Sequence, residues 1–327
     1  MSDGIAVYSE KLREIVGAVG KAVIGKEAMI RLVVLSLVSG GHVLIEDVPG
    51  VGKTGLVSAL SRAVSCQFKR IQFTPDIMPS DITGFSVYNQ KTGEFEFRPG
   101  AAMSNFVLAD EINRASAKAQ ASLLEVMEEK QVTIDTETHV LKEPFMVLAT
   151  QNPLDNLGTY PLPEAQIDRF QIKISLGYPH FEEELRIMAM TDEEKANVPS
   201  VATGEDIIAA RKSAGRIWTA EPVRRYIADI VTATRNHKST LLGASPRGSI
   251  ALYRMSRALA LYEGRDYVLP DDVKYLAPYV LSHRLILTPE SKIDKIPPES
   301  IIRGILDNTP IPPLDGEPGN ARSEMVK

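Results

Sequence analysis

The chain holds a single cysteine, Cys66, among 327 residues, so no disulfide can close within it. That suits a reducing compartment; a cytoplasmic protein is expected, with Cys66 as a small core residue. Long apolar runs are also missing. No stretch has the length of a membrane-spanning helix, and the first residues lack the basic-then-apolar layout of a secretory leader, so no membrane insertion is expected. There is no basic excess: 37 Lys and Arg face 42 Asp and Glu, a net charge of −5. Domains that bind nucleic acid constitutively are usually basic, which disfavours that class while leaving room for a local basic channel in a ring. Aromatic residues are scarce, at 6%, yet 44% of the chain is apolar, which fits a soluble globular protein. No internal repeat is visible, and the length allows one large domain or two ordinary ones.

What is present is concentrated first between His42 and Thr54. An apolar run, Val43-Leu44-Ile45, leads into Glu46-Asp47-Val48-Pro49-Gly50-Val51-Gly52-Lys53-Thr54. Beyond Gly55, the residues Leu56, Val57, Leu60, Ala63 and Val64 fall at helical spacing. Strand, glycine loop and helix form the context in which Gly-Lys-Thr marks a phosphate-binding loop. Small residues let backbone N–H groups close around phosphate oxygens, and the helix N-terminus adds partial positive charge. Pro49, Gly50, Val51, Gly52 and Gly55 belong to this set; Lys53 can reach the β and γ phosphates, and the Thr54 hydroxyl can ligate Mg²⁺. The pattern G-x-x-x-x-G-K-[ST] asks for glycine where this chain has Asp47, which leaves the first turn of the loop open.

The first half alternates strands (42–46, 68–73, 105–109, 145–150 and 171–175) with helices (27–38, 53–64 and 115–129). Short apolar strands alternating with helices predict an α/β fold with a parallel sheet covered on both faces, where ligands sit at the carboxyl ends of strands. Two segments, 84–100 and 131–141, alternate apolar and polar residues about a turn and read as hairpins. After about residue 180 the pattern turns helical. Pro222 opens one helix, 246–263 forms another closed by Gly264, and Asp271 is expected to cap a third. The expected domains are therefore 1–180 (α/β, with the two hairpin insertions), 181–309 (helical) and a loosely ordered tail, 310–327.

Candidate chemistry falls at strand ends. Asn105–Ala109 runs into Asp110-Glu111; Asp110 suits a metal opposite the phosphate loop, and Glu111 suits accepting a proton from water. The strand 145–150 ends at Gln151-Asn152-Pro153, where an amide could hold water, though Asn-Pro by itself reads as a turn. Arg114, Arg169 and Arg247 are candidate phosphate-stabilising cations, and composition does not choose among them.

Together these residues resemble the AAA+ ATPases, and among them the MoxR family in the helix-2 insert branch. The stretches that carry the resemblance are Val23-Ile24-Gly25-Lys26, Glu46–Thr54, Leu108–Ala115, Ala149–Pro153, Leu162–Phe170, Ser245-Pro246-Arg247 and Glu263–Val268. Asp47 agrees with this family's Glu-Asp-x-Pro-Gly form. The resemblance implies an AAA+ phosphate-loop domain with a parallel five-stranded sheet, followed by a small all-helical lid. It implies ATP and Mg²⁺ as cofactors, bound through Lys53, Thr54 and Asp110, with Val23, Ile24 and Gly25 against adenine. Glu111 polarises water, Asn152 fills the sensor-1 role, Arg169 is the finger reaching a neighbouring subunit, and Arg247 is sensor 2. The hairpins face a pore or a bound partner, with Phe95 and Phe97 as pushing residues unless they pack onto the domain. The resemblance also implies a homo-oligomer, hexameric by expectation, a protein client for chaperone-like remodelling or metal-cofactor insertion, and a von Willebrand factor A domain partner in trans. A nucleic-acid-directed motor and a nucleotide-gated binding module with little hydrolysis are the alternatives. Lys91 and Arg98 are the first hairpin's only basic residues, which speaks against the motor.

Overall fold

The computed structural model describes residues 2–152, 160–191, 193 and 197–312. The expected tail beyond 312, and Pro153, lie outside the described residues. Contacts group the chain into two compact units, one spanning 11–211 and the other combining 1–10 with the residues from 212 onward.

The chain opens on α1 (Ser2–Ala22), followed by α2 (Glu27–Ser39), β1 (Val43–Glu46), α3 (Lys53–Ala63), β2 (Phe68–Gln72) and α4 (Pro79–Thr83). Next come β3 (Gly84–Asn89), β4 (Glu94–Pro99), β5 (Phe106–Asp110), α5 (Ala117–Glu129), β6 (Gln131–Ile134) and β7 (Glu137–Val140). The unit continues with β8 (Met146–Gln151), α6 (Glu164–Ile167), β9 (Ile172–Ile174) and α7 (Phe181–Ala189). Five strands form one parallel sheet in the order β2-β5-β8-β1-β9. The fold is the expected α/β architecture.

The central strands are buried along their length, as apolar runs covered on both faces must be. In α2 every residue from Leu32 to Val38 is buried, because its sequence is apolar all round. Leu44, Phe73, Val107, Leu123, Val147 and Phe170 share one core cluster. Each such side chain contributes about 1.5–3 kcal/mol by leaving water. Helix α5 starts at Ala117 rather than Ala115, because Ser116 is its cap and its Oγ accepts the Ala119 N–H at 3.4 Å.

Both expected hairpins form. Strands β3 and β4 pair antiparallel from Gly84 opposite Pro99 to Asn89 opposite Glu94, and β6 pairs with β7. The two aromatic candidates on β4 part company here. Phe97 stacks on His139 of β7, with centroids 3.9 Å apart and planes at 10°, whereas Phe95 is 73% exposed.

The second unit contains helices Glu221–Arg235, Pro246–Tyr262, Pro270–Leu281 and Pro298–Asn308. Two details differ from expectation. A short antiparallel ribbon, β10 (Thr240–Leu242) with β11 (Ile286–Leu287), interrupts the helices. Asp271 does not cap the third helix. Pro270 opens that helix, and Asp272 reaches back to accept the Leu269 N–H at 2.8 Å. The carboxylate of Asp272 also takes two hydrogen bonds from Arg265, at 2.6 and 2.9 Å, which fixes its rotamer for the cap.

Candidate functional site

Three neighbouring strands deliver the site at their carboxyl ends. The loop after β1 holds Gly50 and Gly52 at φ of 89° and 90°, the left-handed region that glycine enters without cost. Gly52 is the cap of α3, and having no side chain it leaves the helix's first-turn N–H donors for a ligand. Lys53 Nζ donates to the Asp47 carbonyl at 2.8 Å. Burial pushes the Lys53 ammonium below its ordinary value, and the carboxylates of Asp47, Asp110 and Glu111 oppose the shift.

Strand β5 ends on Asp110, and Glu111 turns the chain at φ 56°. Thr150, on the adjacent β8, ties the two acids together. Its hydroxyl donates to Asp110 Oδ1 at 2.6 Å and accepts the Glu111 N–H at 2.8 Å. From the other side, β2 presents Arg70, whose Nη2 and Nε reach Asp110 Oδ2 at 2.6 and 3.1 Å. Gln72 Nε2 donates to Glu111 Oε2 at 3.0 Å, and Arg114 Nη1 donates to the same oxygen at 3.1 Å.

Lys53, Thr54, Asp110, Glu111 and Asn152 line one cavity of about 270 Å³, together with Arg70 and Gln72. A second cavity, of about 610 Å³, shares the loop residues Pro49, Gly50, Gly52 and Gly55 with the first. Val23, Ile24, Val51, Tyr178, Pro179, Ile187 and Met188 give it an apolar lining. A polar, charged pocket beside a larger apolar one, joined by a glycine loop, has the chemistry of a site for phosphates and an attached base.

Three further expected site residues have surroundings of their own. Gly25 turns at φ 73° beside Glu183, whose carboxylate fills the space a Cβ would need. Arg169, in the turn between α6 and β9, is half-buried against α5, donating to the Leu124 carbonyl at 2.9 Å and pairing with Glu128 at 2.5 Å. Arg247 belongs to the other unit, exposed in the first turn of Pro246–Tyr262, with its backbone N–H on Ser245 Oγ.

Sequence reasoning missed Arg70, Gln72, Thr150 and the Tyr178–Met188 wall. Arg70 and Gln72 carried a signal: two polar residues at i and i+2 on a short strand share one face. Thr150 carried none, because its partners lie 39 and 40 residues away.

A parallel sheet with a glycine loop after one strand and an acid pair after its neighbour but one is the arrangement of a phosphate-loop nucleotide-binding domain. Residues 42–172 match the family described as "ATPase family associated with various cellular activities (AAA)", and residues 232–305 match "AAA lid domain". The chain is similar to the uncharacterised protein YeaC of Bacillus subtilis, with 48% identity over 93% of this chain and 97% of that one. Chaperone MoxR1 of Mycobacterium tuberculosis is 39% identical, over 98% of this chain and 88% of its own. A crystal structure of a candidate ATPase from Cytophaga hutchinsonii superposes with a TM-score of 0.89 at 42% identity, covering 95% of this chain and 98% of that one. The chain belongs to the MoxR family of AAA+ ATPases.

Proposed function

We propose that this protein hydrolyses ATP to ADP and phosphate with Mg²⁺, at sites completed between subunits of a ring. The observation that carries the reading is the convergence of Lys53, Thr54, Asp110, Glu111 and Asn152 on one cavity at the carboxyl edge of the sheet. Lys53 and the first-turn N–H groups of α3 neutralise phosphate charge. Glu111 takes the proton from the attacking water, and Asn152 orients that water. The apolar cavity beside Val23 and Ile24 takes the base.

The donor set fits Mg²⁺. Among the described residues no group of three or more His, Cys, Asp or Glu side chains could hold a metal. A cation here would be held by the Thr54 hydroxyl and the Asp110 carboxylate, the sparse protein donor set that suits Mg²⁺ beside a nucleotide. When bound, it would supply neutralisation of the phosphate charge.

The finer roles follow from the family. Arg169 serves a neighbour's nucleotide as the finger, and Arg247 senses phosphate from the lid. Chaperone-like naming among the relatives supports work on protein clients, with metal-cofactor insertion, a hexamer, a von Willebrand factor A domain partner and a cytoplasmic setting as parts of the same proposal. Among the described residues no helix is long and apolar enough to cross a membrane.

Glu111→Gln tests the chemistry. The variant is expected to bind ATP as wild type does and to lose at least about 10²-fold in phosphate release. Full turnover would remove Glu111 from its role.

A further inference from the structure

The residue that breaks the expected loop pattern has a place of its own. Asp47 follows β1 directly and is only 7% exposed. A carboxylate taken out of water is costly unless it is hydrogen-bonded, and this one is. Its Oδ1 accepts the N–H of Val48 at 2.9 Å. Its Oδ2 accepts the N–H of Gly177 at 2.7 Å and the hydroxyl of Ser175 at 3.1 Å. Its main-chain oxygen holds Lys53 Nζ. One residue therefore bonds both to the phosphate-loop lysine and to the segment that leaves β9.

That segment is the near wall of the larger cavity. Gly177 turns at φ 63° with open space where a Cβ would go, so the backbone conformation, not crowding, requires glycine there. Tyr178 and Pro179 follow immediately and line the cavity. Lys26 Nζ donates to the Tyr178 carbonyl at 3.0 Å, so the wall is tied on both sides: to the loop through Asp47, and to the Val23–Lys26 turn through Lys26. A glycine at position 47 would satisfy the common loop pattern and remove the first tie.

We propose that Asp47 is a positioning residue that fastens the base-cavity wall at Ser175–Pro179 to the phosphate loop, so that base and phosphates are gripped as one unit. This rests on the nucleotide-binding reading above. The consequence runs against the motif: restoring its glycine weakens nucleotide binding, and does so through the base.

Calorimetric titration separates the two halves of the ligand. ADP engages both cavities, whereas inorganic tripolyphosphate engages the phosphate loop alone. Asp47→Gly is expected to weaken ADP about tenfold, the scale of a lost charge-assisted hydrogen bond, and to leave tripolyphosphate unchanged or tighter, since a negative charge near the loop is gone. Ser175→Ala and Asp47→Asn, which disturb the same tie more gently, are expected to weaken ADP about two- to threefold with tripolyphosphate unmoved. ADP binding at wild-type affinity in all three variants overturns the inference. So does a parallel loss of both ligands, which would make Asp47 a prop of the phosphate loop only. If Asp47→Gly does not fold, the other two variants decide by the same comparison. Wild-type protein that binds neither ligand overturns the nucleotide reading itself, whereas wild-type binding with unaffected variants overturns only the role of Asp47.

Discussion

At Arg70 a guanidinium occupies the carboxylate on which the proposed metal site depends. Its side chain is 47% exposed, so the pair with Asp110 contributes little to folding. Its effect is on occupancy. Asp110 Oδ2 takes two hydrogen bonds from Arg70 while Oδ1 takes one from Thr150, so an arriving cation meets a carboxylate already neutralised from one side. Arg70→Ala is expected to lower the Mg²⁺ concentration for half-maximal binding of a fluorescent ATP analogue by about two- to fivefold. A higher Mg²⁺ requirement in the variant would show that the cation helps to hold the nucleotide instead.

At the scale of elements, His42 fastens the start of β1 to β8 and α5. Its Nδ1 accepts the Val147 N–H at 2.9 Å, and Nε2, carrying the proton, donates to the Met127 carbonyl at 3.1 Å. Burial lowers its pKa from 6.5 to about 4; the Met127 hydrogen bond opposes this, and the Lys130 and Arg211 charges add to it. A second proton would also break the bond from Val147. Above pH 6.5 both folded and unfolded chains carry a neutral imidazole. Between pH 6.5 and about 4 only the unfolded chain takes up the proton, so stability falls across that window and the loss levels off below it. The full difference is about 3 kcal/mol. Urea unfolding at pH 7 and pH 4.5 is expected to show most of this loss in wild type, and a shallower dependence in His42→Asn. Equal pH slopes would mean that other groups carry the acid sensitivity.

At the scale of the whole molecule, the proposed chemistry needs more than one copy of the chain. The half-buried Arg169 is engaged by Glu128 and the Leu124 carbonyl of its own subunit, while the acids and the lysine gather elsewhere. If Arg169 acts in trans, Arg169→Ala and Lys53→Ala proteins are each nearly inactive alone, since a finger is worth about 10³–10⁵ in rate. Mixed, they are expected to recover part of the ATPase rate, because some interfaces pair an intact Lys53 with an intact Arg169. Wild-type rate per protomer should also rise with protein concentration. A mixture as inactive as its parts would count against the ring.

The amino-acid order alone determined the fold class, the family and the place of the loop, because each depends on short-range pattern. Apolar runs of strand length, helical spacing after Gly-Lys-Thr, and acids directly after a strand are legible within a few residues. The tertiary structure alone decided what those residues touch. Thr150 joins Asp110 to Glu111 from about 40 residues away, and Arg70 caps Asp110 from the neighbouring strand. Phe97 is committed to His139 while Phe95 faces solvent, although both read alike along β4. Asp47 shows the difference most clearly. In the sequence it is a mismatch to a pattern; in the fold it meets Gly177, 130 residues on, because β1 and β9 are neighbours in the sheet. Local pattern specifies elements, but which elements lie side by side follows from how their apolar faces pack, and that pairing chose the hydrogen-bond partners.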